Sequence, residues 1–243
     1  FHNNDPKQQF RSSLPVGRVL EDPFDFPPVI LAYKLNGEWL TSERGGPVRV
    51  VVPEAYGFKS VKWISHVVLS NLFHANDTYA NGNNDIDSPM KTFAATLQVP
   101  DKPKAGEMLP ITGYAQVGFS GLRKVQVSIH RRDHSWPPDD PWFDSATWKD
   151  ATVLGAPGSV GANLPGGRVP LDTMGFESRT GLPASWPPRF GLAHWAILMP
   201  GLPQGDYTLR CRTIDEKGAA QPRPRPFQKS GHAAIEQVDL TVL

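Results

Sequence analysis

Cysteine is nearly absent from these 243 residues: Cys211 is the only one. An intrachain disulfide is therefore excluded, as is any zinc site built on several cysteines, and one thiol says nothing about redox compartment. Excess charge is missing too. Twenty-five Lys and Arg stand against 24 Asp and Glu, and the basic clusters Arg131-Arg132 and Arg223 with Arg225 are too short to form a nucleic-acid-binding stripe. No apolar run approaches the roughly 20 residues that span a bilayer. The first residue is Phe1, with no charged and apolar leader after it. That predicts either a processed chain or one that continues upstream.

Proline (25) and glycine (22) are plentiful and dispersed between apolar runs, which suits a strand- and loop-rich fold rather than long helices. Val29 to Tyr33 is a short run of strand formers. Asn36-Gly37 then reads as a hairpin turn, because both residues tolerate the positive φ that such a turn requires. Val48 to Val52 and Val61 to Leu69 read as further strands, with Trp63 packed in the core. Residues 71–95 are dominated by Asn, Asp and Gly and read as a long connection.

A second pattern starts near Ala95. Ile111 to Val117 and Leu122 to Ile129 alternate at period two, with Val125, Val127 and Ile129 on one face and Lys124, Gln126 and Ser128 on the other, the signature of a half-buried antiparallel strand. Trp195 to Met199, Asp206 to Asp215 and Val238 to Leu243 complete a set of short strands that predicts a β-sandwich. The Pro-, Asp-, Gly- and Trp-rich stretch 131–190 reads as a surface insertion. A mainly β chain is expected, with one domain over residues 1–94 and a second over 95–243.

Within Tyr33 to Trp63 a set of unusual residues falls in a fixed order: Ala32-Tyr33, Asn36-Gly37, Leu40, Gly45, Pro47, Arg49, Val52-Pro53, Tyr56-Gly57 and Lys59-Ser60-Val61-Lys62-Trp63. This resembles the signature stretch of the sulfite oxidase family's molybdopterin domain. Gly113-Tyr114-Ala115, His194-Trp195-Ala196, Gly205-Asp206-Tyr207, Arg212 to Asp215, Gly218 and Gln221-Pro222 resemble the family's dimerisation domain. The resemblance implies a partial α+β molybdopterin domain followed by an immunoglobulin-like sandwich, a molybdopterin cofactor carrying molybdenum, and a homodimer formed through the second domain.

Molybdopterin carries a phosphate and a polar pterin, so its holder needs cationic side chains and free backbone N–H groups. By resemblance, Arg49 and the segment Lys59, Ser60, Val61 and Lys62 sit on the cofactor. Arg44 stands where family members often have histidine. Asp5, with Asn4 and Ser12, falls in a loop resembling one that closes over the pterin; a surface turn is the alternative. Tyr79 falls where the family's active-site tyrosine lies, and Lys229 near the position of a family arginine, which makes both candidates for the substrate site. For Lys229 the alternative is a solvated side chain. Asp85 and Asp87 form a turn or a weak cation site, and the prolines around His130 and His134 argue against a zinc helix.

In the family a cysteine upstream of these motifs holds the metal. Cys211 lies far downstream and is not that ligand. Two expectations follow. One is an oxidoreductase of sulfite oxidase type, moving an oxygen atom to or from a small oxyanion such as sulfite and passing electrons to a haem protein such as cytochrome c, in an exported compartment. The other is a non-catalytic structural or assembly subunit that retains the fold without the metal-binding cysteine and associates with a larger complex. An immunoglobulin-like binding module is a third.

Overall fold

The computed structural model describes residues 11–20, 28–71, 88–158, 160–164, 166–223 and 233–243. The chain forms two compact units, one running up to Met90 and the other starting at Lys91. It is mainly β, as the residue pattern implies.

In the first unit a short helix, α1 (Val16–Leu20), follows Pro15. Strand β1 (Ile30–Ala32) pairs antiparallel with β4 (Arg49–Val51). Between them β2 (Lys34–Leu35) and β3 (Glu38–Trp39) form a hairpin. Its turn is Asn36-Gly37, with φ of 52° and 87°, so the dipeptide supplies the left-handed pair that matches strand twist. Tyr33 and Trp39 meet across it at 5.6 Å between ring centres, and the Lys34 ammonium lies 4.8 Å from the Trp39 ring centre.

The strand expected over Val61 to Leu69 is not formed. Val50 N–H donates to Val61 O (2.9 Å) and Ile64 N–H to Val48 O (3.0 Å), so the segment begins as a partner of β4. Trp63 then enters the left-handed region at φ 51°, which ends the pleat. Beyond it Val67, Val68 and Leu69 are exposed, at 71%, 78% and 83%. Trp63 itself is 38% exposed and donates its indole N–H to Ser42 O, rather than packing in a core.

The second unit is one antiparallel seven-stranded sheet in the order β11-β10-β7-β8-β9-β6-β5. Its strands are β5 (Phe93–Gln98), β6 (Leu109–Gln116), β7 (Lys124–Arg131), β8 (Lys149–Val153), β9 (Leu192–Met199), β10 (Gly205–Ile214) and β11 (Glu236–Val242). Strand β8 joins two halves: Lys149 to Ala151 pair with β7, and Thr152 and Val153 with β9. Both halves contribute to one core, including Leu109, Ile111, Val125, Val127, Trp195, Leu209 and Leu240. Burial of such side chains, roughly 1.5–3 kcal/mol each, is what drives the unit to fold. Gly113 faces Trp195 in register, and a β-carbon there would lie 2.2 Å from the indole, so only glycine admits this ring.

Two expectations are corrected in this unit. Residues 131–190 are not wholly a surface insertion, because β8 lies within them at the centre of the sheet. Nor is β7 half-buried. Gln126 and Ser128, assigned to its outer face, are 9% and 0% exposed. The 132–148 loop folds over that face. Ser128 Oγ donates to Thr147 O (2.9 Å), and Gln126 Nε2 to Asp150 Oδ1 (2.8 Å). Polar residues on an alternating strand are thus buried against hydrogen-bonding groups of a covering loop and of β8, which alternation alone does not reveal.

Candidate functional site

The candidate site is built on the turn between β3 and β4. Its backbone is closed by Arg44 N–H to Thr41 O (3.1 Å), Gly45 N–H to Ser42 O (2.9 Å) and Gly46 N–H to Thr41 O (2.9 Å). Two cationic side chains from different segments converge on it. Arg49, on β4, donates through Nη1 to Arg44 O (3.1 Å), and Lys62 donates through Nζ to Glu43 O (2.8 Å). The carbonyls they reach belong to adjacent residues. Arg44 is exposed on the same turn. Three of the cationic candidates are therefore gathered around one short loop.

Arg49 also donates through Nη2 to Ser60 O, at a longer 3.4 Å. Its Nε is buried and has no acceptor among the described residues. A buried N–H without a partner is costly, so this guanidinium holds unspent hydrogen-bonding capacity. Ser60 and Val61 serve the framework: Ser60 Oγ accepts from Val52 N–H (3.0 Å), and Val61 O from Val50 N–H. Gly57 has open space where a β-carbon would stand.

Lys59 is placed apart from this loop. It is 2% exposed, donates to Ser13 O (2.9 Å), and lies 5.5 Å from the Phe58 ring centre. Close by in the chain, Glu54 forms a forked ion pair with Arg18 of α1. Their side chains are only 7% and 12% exposed. Sequence reasoning missed this pair, since nothing about Glu54 after Pro53 marks it as buried. Asp5, Tyr79 and Lys229 lie outside the described residues, as do Asn4, Asp85 and Asp87. Ser12 is described and half-buried. Among the described residues no group of three or more His, Cys, Asp or Glu could hold a metal ion, and no helix is long and apolar enough to cross a membrane.

The donor set suits a phosphorylated, oxygen-rich group. It combines a planar fork with an unused N–H (Arg49), a compact ammonium (Lys62) and an exposed second guanidinium (Arg44). Cys211 offers no metal ligand here. It is fully buried in β10, its thiol donating to Glu236 Oε2 (3.5 Å), and burial with that carboxylate pushes its ionisation far above the ordinary thiol range.

Residues 1–77 match the oxidoreductase molybdopterin-binding domain family. The chain is 44% identical over 165 residues to sulfite oxidase of Gallus gallus, covering 60% of this chain and 32% of that protein. It is 31% identical over 120 residues to sulfite oxidase of Arabidopsis thaliana, covering 42% and 30%. It is 27% identical over 227 residues to an NADPH nitrate reductase of Aspergillus niger, covering 80% and 23%. The chain thus spans about a third or less of the length of these relatives. A solved structure of a cycloalternan-degrading enzyme from Trueperella pyogenes aligns with 58% of this chain at 18% identity and a TM-score of 0.28, too low to inform the fold. The family model that matches is a molybdopterin-binding one and implies the molybdenum cofactor. With the ordered motif from Ala32 to Trp63, these matches support placing the chain with the sulfite oxidase family of molybdopterin oxidoreductases.

Proposed function

We propose that this chain serves a sulfite-oxidase-type oxidoreductase in which Arg44, Arg49 and Lys62 grip the phosphate-bearing end of molybdopterin. The observation that carries the reading is Arg49, whose guanidinium is oriented by two carbonyls and keeps an N–H without an acceptor. A fork fixed in advance loses little freedom when it meets a phosphate. Lys62, anchored on Glu43 O, adds a point charge beside it. The bonds that Ser60 Oγ accepts from Val52 N–H and Val61 O from Val50 N–H hold the wall that carries both cations.

When bound, the cofactor supplies oxygen-atom transfer between its metal and a small oxyanion such as sulfite. The protein contributes binding, orientation and electrostatic field. In this reading a haem protein such as cytochrome c takes the electrons, and the resemblance assigns Tyr79 and Lys229 to substrate binding. The second unit is an immunoglobulin-like domain that pairs two protomers about a twofold axis, and the protein works in an exported compartment.

A second reading, a subunit that keeps the fold without the chemistry, draws on one observation: Arg49, Lys59 and Lys62 each already donate to a main-chain carbonyl. Assaying the purified native protein for molybdenum, pterin and sulfite-dependent reduction of ferricytochrome c separates the two. Near-stoichiometric molybdenum with sulfite-dependent turnover is the outcome expected of the oxidoreductase. Protein free of both metal and pterin would instead establish the scaffold.

A further inference from the structure

Arg210 stands in the middle of β10, opposite Ser128 of β7 and Gln237 of β11. It is 7% exposed. Its Nη2 donates to Gln237 Oε1 (2.9 Å), while Nε and Nη1 are buried and have no acceptor among the described residues. Arg212, two residues further along the same strand face, shows the usual solution: Nε donates to Gln126 Oε1 (3.0 Å) and Nη1 pairs with Asp144 (3.4 Å). Asp144 also pairs with Arg223, and Asp239 pairs with Arg132. Among the described residues no carboxylate pairs with Arg210.

The surroundings are aromatic rings and imidazoles rather than carboxylates. The guanidinium lies 4.2 Å from the Phe143 ring centre and 5.5 Å from that of Trp136. Such contacts offset part of the charge, yet they do not satisfy in-plane N–H groups. His130 and His134 stack at 5.4 Å, and each meets Trp136 at 4.7 Å. One nitrogen of His130 is engaged by Ser128 Oγ (2.7 Å). Burial, then the positive charge of His134 and of Arg210, holds His130 below its ordinary range. A buried cation with spare N–H groups, two imidazoles and no carboxylate has the composition of an anion site, because buried charges need a partner of opposite sign.

We propose that the cluster of Arg210, His130 and His134 beneath the 132–148 loop binds a small inorganic oxyanion of sulfate's size. The site lies wholly within the second unit and does not depend on the pterin reading. The aromatic cover keeps water from competing for the guanidinium, so a weakly hydrated surface site is not the comparison. The ion would tie Arg210 to the loop through charge, as Asp144 already ties Arg212 of the same strand.

The test is thermal unfolding of the intact protein in increasing sodium sulfate, against sodium gluconate at matched ionic strength. Wild type is expected to show a saturable rise in Tm with sulfate beyond that in gluconate. Arg210→Gln is expected to lose that excess, and Arg132→Gln to keep it. An equal excess in wild type and Arg210→Gln, or none in wild type, overturns the proposal. Should Arg210→Gln not fold, NMR titration of His130 in wild type decides. Sulfate raises its midpoint if the ion binds, and an unchanged midpoint rejects the site.

Discussion

Gly45 and Lys62 are in such close contact that a β-carbon at position 45 would stand 2.7 Å from Lys62 Cγ and 2.8 Å from its Cβ. Gly45 also has φ of 96°, a region that L side chains rarely adopt. The turn between β3 and β4 and the Lys59 to Trp63 segment are thereby pressed together, with Trp63 N–H donating to Gly45 O (3.1 Å). Gly45→Ala should cost about 1–3 kcal/mol from backbone strain alone and shift Lys62. Urea denaturation checks this, and a wild-type midpoint for the variant would contradict the packing described.

Gln221 links three segments of the second unit. Its Oε1 accepts from Ala94 N–H (3.0 Å) and Thr213 N–H (3.2 Å), and its Nε2 donates to Ala234 O (2.5 Å). The side chain is buried, so Gln221→Ala strands two amides and a carbonyl away from water. At roughly 1–3 kcal/mol for each unsatisfied group, a loss of about 2–4 kcal/mol is expected after partial relaxation. A loss below about 1 kcal/mol by chemical denaturation would mean that water replaces the side chain.

The sequence made much of this architecture legible, for reasons particular residues explain. Asn36-Gly37 encodes its own turn, and the alternation in β6 follows from one buried face. What stayed hidden depends on contacts between distant segments. Strand β8 has no alternation of its own and is defined by β7 and β9 on either side. Gln126 and Arg212 look like surface residues until the 132–148 loop covers them. At the candidate site, the family resemblance pointed to Arg44, Arg49, Lys59 and Lys62, and the side chains of Arg49 and Lys62 reach the turn that carries Arg44. The burial of Lys59, and the Arg18–Glu54 pair near it, follow from α1 docking, which no local motif records.

His130 provides a pH dependence. Its folded ionisation lies below the ordinary imidazole range through burial, then through His134 and Arg210. The unfolded chain therefore binds more protons than the folded one as pH falls below the ordinary value, so stability decreases on acidification through that range. Without added oxyanion, His130→Gln should flatten this part of the stability profile between pH 7 and 5. An unchanged profile would show that another group titrates there.

Cys211 should be chemically silent while the protein is folded. Its thiol is fully buried beside Glu236, which also accepts from Thr96 N–H (2.6 Å) and Thr96 Oγ1 (2.8 Å). Because the ionisation is raised on folding, only the unfolded chain loses this proton as pH rises past about 9, and stability falls there. Mass spectrometry after treatment with a thiol reagent at pH 8 should find Cys211 unmodified in native protein and fully modified in denaturant. Rapid labelling of native protein would refute its burial.

The central claim is that Arg49 and Lys62 form one grip on a phosphorylated pterin. The most direct measurement is pterin and molybdenum content of the purified native protein beside Arg49→Gln and Lys62→Gln variants, with circular dichroism to establish folding. Variants that fold as wild type yet retain little pterin are the predicted result. Folded variants that keep the full wild-type complement would contradict it.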